Sequence, residues 1–143
     1  MAEHINLLKL SVGTETVEDL VAWQARGPAR GPDGAPRHVT RMWPKREDEI
    51  LAGGSIFWVI KGVILARQRI VRLDEVDRGD GIRRCGLVLD PQVHRTEAVV
   101  RRPFQGWRYL KPEDAPGDLG QSRQNEPDLP PALMAALAEI GVR

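Results

Sequence analysis

The chain has 143 residues, 41% hydrophobic and 29% charged, with a formal net charge of +1. That is the makeup of one soluble globular domain, 1–143, without room for a second core. A lone cysteine, Cys85, excludes a disulfide framework and any multi-thiolate metal site. The longest apolar run, Ser55 to Ala66, is broken by Lys61 and is too short to span a bilayer. Met1 to Asn6 shows no basic region leading into an apolar stretch, so a cytoplasmic protein without a membrane partner is expected.

Ile5 to Val12 alternates imperfectly and predicts a first strand. Thr16 stands three residues before Asp19, a capping pattern that opens a helix over 16–26. Gly27-Pro28 stops it and starts a Gly/Pro-rich loop, 27–36. His38 to Trp43 reads as a short strand, and Pro44 begins a helix over 44–52, with Glu47, Asp48 and Glu49 complementing its positive end. Gly53-Gly54 ends that helix. Ser55 to Leu73 predicts two strands that bend at Gly62. Asp74 to Gly81 is a polar hairpin loop, and Arg84 to Leu89 the next strand. Asp90-Pro91 is a turn, and Val93 to Arg102 another alternating strand. A compact aromatic segment, Phe104 to Tyr109, follows Pro103. The segment 112–131 reads as a polar linker, and 131–140 as a C-terminal helix with Leu133, Met134, Leu137 and Ile140 on one stripe. Consecutive strands with short connections predict an α+β fold, mainly antiparallel, closing into a small β-barrel with peripheral short helices.

Several routes to catalysis are closed by spacing. His4, His38 and His94 share no paired ligand spacing, so neither a metal nor another cofactor is expected. Asp74, Asp77 and Asp80 lie three apart, whereas calcium loops place ligands two apart and finish on a glutamate. Gly53-Gly54-Ser55 runs from helix into strand, which offers an anion the wrong end of the dipole. Ser55 lacks a strand-to-helix elbow, and Cys85 sits in an apolar strand as a small hydrophobe. No catalytic residue is singled out.

Charge is unevenly placed. Residues 1–36 sum to −2, 37–111 to +7 and 112–143 to −4, and arginine outnumbers lysine 17 to 4. A basic body of this kind collects phosphates. Within it, Arg37 to Arg46 sets Arg41, Lys45 and Arg46 around Trp43. Arg101 to Lys111 interleaves basic residues, Arg102 and Arg108 among them, with Phe104, Trp107 and Tyr109. Lys61, Arg67 and Arg69 flank the bend at Gly62. Basic groups can hold a nucleic-acid backbone while an aromatic face stacks a base. The plainer account has Trp43, Phe104 and Trp107 closing the core while the arginines reach outward.

The strings Arg37 to Arg46, Gly53 to Gly62 and Arg102 to Pro112 resemble an uncharacterised alphaproteobacterial domain family, over nearly the whole chain. That resemblance implies no activity. A looser likeness is to the PUA-like superfamily, with its ASCH and EVE domains. A short helix ending in Gly53-Gly54, a strand, Lys61-Gly62 and a second strand is similar to their central hairpin. The glycine-lysine-glutamate-arginine signature of ASCH domains has no match here at full spacing. The likeness implies a small PUA-like barrel and a partner that is RNA or a nucleobase-containing ligand.

These readings converge on a non-catalytic binder of RNA or of a nucleobase-containing ligand, through a basic and aromatic surface. Its expected site is Arg41, Trp43, Lys45, Arg46, Lys61, Arg67, Arg69, Arg102, Trp107, Arg108 and Tyr109. Two other classes stay open. One is a small enzyme acting on nucleotides or related metabolites, with His38, Thr40 or Glu47 beside the basic groups. The other is a protein-interaction module that uses Leu133, Met134 and Leu137.

Overall fold

The apolar run beginning at Ser55 folds into the two strands on which the other elements are assembled. In the computed structural model, which describes residues 4–27, 30–120, 124 and 136, these are β3 (Ser55–Ile60) and β4 (Val63–Val76). Lys61 and Gly62 join them with φ of 50° and 82°, the primed turn whose twist suits a two-residue hairpin. Every residue of β3 is buried, so this strand is covered on both faces and reads as continuous rather than alternating.

β1 (Asn6–Leu10), β2 (Arg37–Thr40), β5 (Arg84–Leu89), β6 (His94–Val100) and β7 (Trp107–Leu110) complete the sheet. Its order is β2-β5-β4-β3-β1-β7, with β6 also beside β4. β1 pairs with β3 in parallel, and the remaining pairings are antiparallel. The result is an α+β fold in which a mostly antiparallel sheet curls into a half-barrel. The 14-residue β4 makes this possible by serving two neighbours in turn. Its first half faces β6, from Val63↔Val100 to Arg67↔His94. Its second half faces β5, from Ile70↔Leu89 to Val76↔Arg84.

α1 (Val17–Gln24) starts as its sequence predicts: the Asp19 N–H donates to the Thr16 hydroxyl at 3.1 Å. It ends two residues earlier than the glycine signal suggests. α2 (Glu47–Leu51) begins at Glu47 rather than at Pro44. The reason is tertiary: the Lys45 N–H is held by the Tyr109 hydroxyl at 2.8 Å, which keeps this stretch out of a helix. β2 likewise stops at Thr40, where the Thr40 hydroxyl accepts from the Met42 N–H and the chain turns away.

Apolar side chains cover both faces of the sheet. Leu7, Ile56, Trp58, Ile60, Leu65, Ile70, Leu87 and Trp107 line the inner face, where Val17 and Leu20 of α1 and Ile50 of α2 fill the curl. Leu8, Phe57, Val59, Ile64 and Leu110 form a smaller outer cluster under Phe104 and Ala115. Burying each large side chain of this kind contributes about 1.5–3 kcal/mol.

Part of the polar linker is ordered by contact with β6. Pro112–Asp114 forms a 3-10 turn. The Glu97 N–H then donates to the Gly117 carbonyl and the Leu119 N–H to the Arg95 carbonyl, each at 2.9 Å. In the Gly/Pro-rich loop, Arg30 and Pro36 form an isolated bridge. The rest of the linker and the expected helix over 131–140 lie outside the described residues, Gln124 and Ala136 apart. Among the described residues, no helix is long and apolar enough to cross a membrane.

Candidate functional site

The two aromatic and basic segments singled out in the sequence meet in space. After β2, one edge of the sheet, the chain from Arg41 to Arg46 crosses to β7, the other edge. Two bonds lace it there. The Trp107 indole N–H donates to the Met42 carbonyl at 2.8 Å, and the Lys45 N–H to the Tyr109 hydroxyl at 2.8 Å. Tyr109 is 37% exposed, and the Arg46 guanidinium stands 5.4 Å from its ring centre. Arg41, Lys45, Arg102 and Arg108 are exposed. Among the described residues none of these four has a carboxylate partner.

Other expected site residues are placed differently. Trp107 is 5% exposed and sits in the inner core, so an indole offered to a ligand is corrected to a core side chain. It lies edge-on to Tyr109 with ring centres 4.9 Å apart; both point inward because alternate residues of a strand share a face. Trp43 is half-buried beneath the Arg83 guanidinium, 4.1 Å from its ring centre, and its indole nitrogen has no partner. Arg46 is paired with Glu49. Arg67 is paired with Asp118 at 2.7 Å and donates to the Ser55 hydroxyl at 3.0 Å, so it ties the linker to the sheet. Lys61 is exposed at the β3–β4 turn and Arg69 on β4. The Phe104 ring lies 5.9 Å from Arg108, on the outer side of the sheet.

A second feature went unread in the sequence. A cleft of about 210 Å³ opens at the carboxyl end of β1, lined by Lys9, Ser11, Thr14, Trp23, Gln24, His38 and Trp58 among others. The inner face brings these groups together through register: Lys9 stands opposite both Trp58 and Trp107. The His38 ring meets Trp58 edge-on at 5.7 Å. Its Nε2 is buried without a partner. Burial first, and then the charge of Lys9, push the imidazole down to about 4, so it is neutral at pH 7. Burial also lowers the pKa of Lys9, whose ammonium donates to the Leu10 carbonyl at 3.3 Å.

The floor of the cleft is a closed amide network. Gln24 and Gln68 donate to one another's oxygens at 2.6 Å. The Trp58 indole N–H donates to Gln68 Oε1 at 2.9 Å, and Gln68 Nε2 also donates to the Asp90 carbonyl at 3.1 Å. Gln68 is thereby saturated, while Gln24 keeps one N–H and one lone pair. Of the nucleotide-enzyme candidates, His38 lines the cleft and Thr40 and Glu47 do not. Cys85 is buried, and burial pushes its thiol up to about 12, which suits an inert hydrophobe.

No curated protein and no solved structure matches the chain. A family described as a protein of unknown function (DUF1489) matches residues 7–143, and the chain belongs to that family.

Proposed function

We propose that this protein is a non-catalytic binder of RNA or a nucleobase-containing ligand, acting in the cytoplasm through the β7 edge and the segment laced to it. One observation carries the reading: the Lys45–Tyr109 bond joins two basic, aromatic stretches that lie 64 residues apart. Lys45 beside the half-exposed Tyr109 ring, Arg41 on the same crossing segment and Arg108 on the other face of β7 have no acid to neutralise them among the described residues. Such cations hold phosphates by releasing condensed counterions, and an exposed ring stacks a base for about 1–3 kcal/mol. Kinship with PUA-like domains belongs to the same proposal. Its support is the short helix α2 that leads through Gly53-Gly54 into the β3–β4 hairpin.

The test is fluorescence anisotropy of a labelled single-stranded RNA against salt. Affinity falls steeply as salt rises. The triple variant Arg41→Gln, Lys45→Gln, Arg108→Gln flattens the log–log slope by roughly 2, at about 0.7 per lost phosphate contact. Absence of binding at low salt, or a slope that the triple variant leaves unchanged, overturns the proposal.

A further inference from the structure

We infer that the cleft at the carboxyl end of β1 is a separate binding site for a small aromatic anion, the size of one nucleobase carrying one acidic group. Size sets the first limit. Drug-sized ligands occupy pockets of about 300–1,000 Å³, and this cleft holds about 210 Å³. A single ring with one substituent fits, and a stretch of polymer does not.

Charge sets the second. Among the described residues that line the cleft there is no carboxylate. The Lys9 ammonium carries three donors, yet one backbone carbonyl at 3.3 Å is the acceptor it reaches. A partly desolvated cation in that state gains most from an anion. Arg37 is also in the lining, but its side chain lies across Gly86 and Gly31, so Lys9 is the cation that meets the ligand.

The walls set the third. Trp58 presents an indole whose nitrogen is already engaged by Gln68. Trp23 offers a second indole, 49% exposed from α1, an apolar surface that a flat ring would cover. His38 Nε2 and the spare N–H and lone pair of Gln24 supply polar contacts at the ring edge. Two aromatic surfaces, one cation and a few edge groups are the parts of a site that reads a planar anion.

The four tryptophans make the site readable by NMR, because each indole N–H gives its own resonance and two of the four line the cleft. The probes are orotate and uracil, which share a ring and differ by one carboxylate, with benzoate as a ring lacking base edges. Orotate shifts the Trp23 and Trp58 indoles and leaves Trp43 and Trp107 in place. Uracil binds at least about tenfold more weakly, the worth of a charge-assisted hydrogen bond. Lys9→Gln brings orotate down to the uracil level. Trp23→Ala, on the exposed face of α1, weakens both while the fold is retained. Benzoate binding between the two assigns the remainder to edge contacts. No shift at Trp23 and Trp58 with millimolar orotate, or equal binding of orotate and uracil, overturns the inference. The triple variant Arg41→Gln, Lys45→Gln, Arg108→Gln, which flattens the salt dependence of RNA binding, leaves these shifts intact, so the two sites stand or fall separately.

Discussion

The Trp107 indole N–H donates to the Met42 carbonyl at 2.8 Å, fastening a crossing segment to a strand 65 residues further along the chain. The ring is at once a core side chain and an anchor for the segment 41–46. Trp107→Ala therefore costs about 3–5 kcal/mol as a large cavity. Trp107→Phe keeps much of the volume and loses the bond, at about 1 kcal/mol, since Met42 is exposed enough for water to replace the donor. Urea unfolding measures both. Limited proteolysis adds a local readout: cleavage near Arg41 and Lys45 rises more in the Phe variant than its lost stability explains.

Gln68 is fully buried yet satisfies three partners, Gln24, Trp58 and Asp90. Gln68→Leu strands the Trp58 N–H and the Gln24 amide in a low-dielectric interior, at about 2–4 kcal/mol. Adding Gln24→Leu removes one of the orphans. The double variant accordingly loses less than the sum of the two single losses, by about 1 kcal/mol in a double-mutant cycle. Additive losses would mean that the two amides do not act as a pair.

Local signals in the chain were readable wherever the physics is local. The Thr16–Asp19 cap, the Lys61-Gly62 turn and the apolar run after Ser55 each depend on neighbours a few residues away, and each forms where the pattern puts it. The parallel pairing of β1 with β3 was not readable, because alternation marks a strand without naming its neighbour. Trp107 was ambiguous for a related reason. An aromatic ringed by arginines looks the same in sequence whether the ring is core or surface, and the Met42 carbonyl decides it. The cleft left one faint trace. Lys9 and Gln68 are polar residues among apolar neighbours on the inward faces of their strands, a mismatch that marks either a network or a site.

His38 makes stability fall with pH through a defined window. Its folded pKa, about 4, lies below the ordinary 6.5. Below pH 6.5 the unfolded chain takes up a proton that the folded imidazole, buried beside Lys9, refuses. Stability contributed by the neutral ring is thus complete above about 6.5, lost as pH falls toward 4, and constant below that. The loss is up to about 3 kcal/mol. Urea midpoints at pH 7 and pH 4.5 separate for the wild type, and His38→Gln brings them together. The carboxyls of Asp33, Glu49 and Asp118, each hydrogen-bonded by an arginine, shift the same way but act at lower pH; Asp80, held down by Arg84, has its pKa near 2.

Among the described glycines, Gly54 leaves the least room for a side chain. A Cβ built there lies 2.2 Å from the Ile5 carbonyl oxygen and 2.7 Å from that of Ile50. Neither neighbour is a side chain that can swing aside. The reason for the close approach is that three elements converge on this residue. Its N–H donates to Ile50 at the end of α2, its carbonyl accepts from Ile70 of β4, and Ile5 leads into β1 past it. Moving α2 or β4 away breaks its hydrogen bond to Gly54, and moving Ile5 away breaks its own bond to the Glu49 carbonyl. Gly54→Ala therefore costs about 3 kcal/mol or more, at the upper end of overpacking. Gly53→Ala is the matched control. Its φ of 142° carries strain, but the Cβ meets the His4 side chain at an ordinary 3.7 Å. Thermal unfolding of the two variants side by side separates a packing requirement from the helix-terminating role that the glycine pair suggests in sequence. If Gly53→Ala is the more damaging of the two, termination is the main role and the crossing at Gly54 is not.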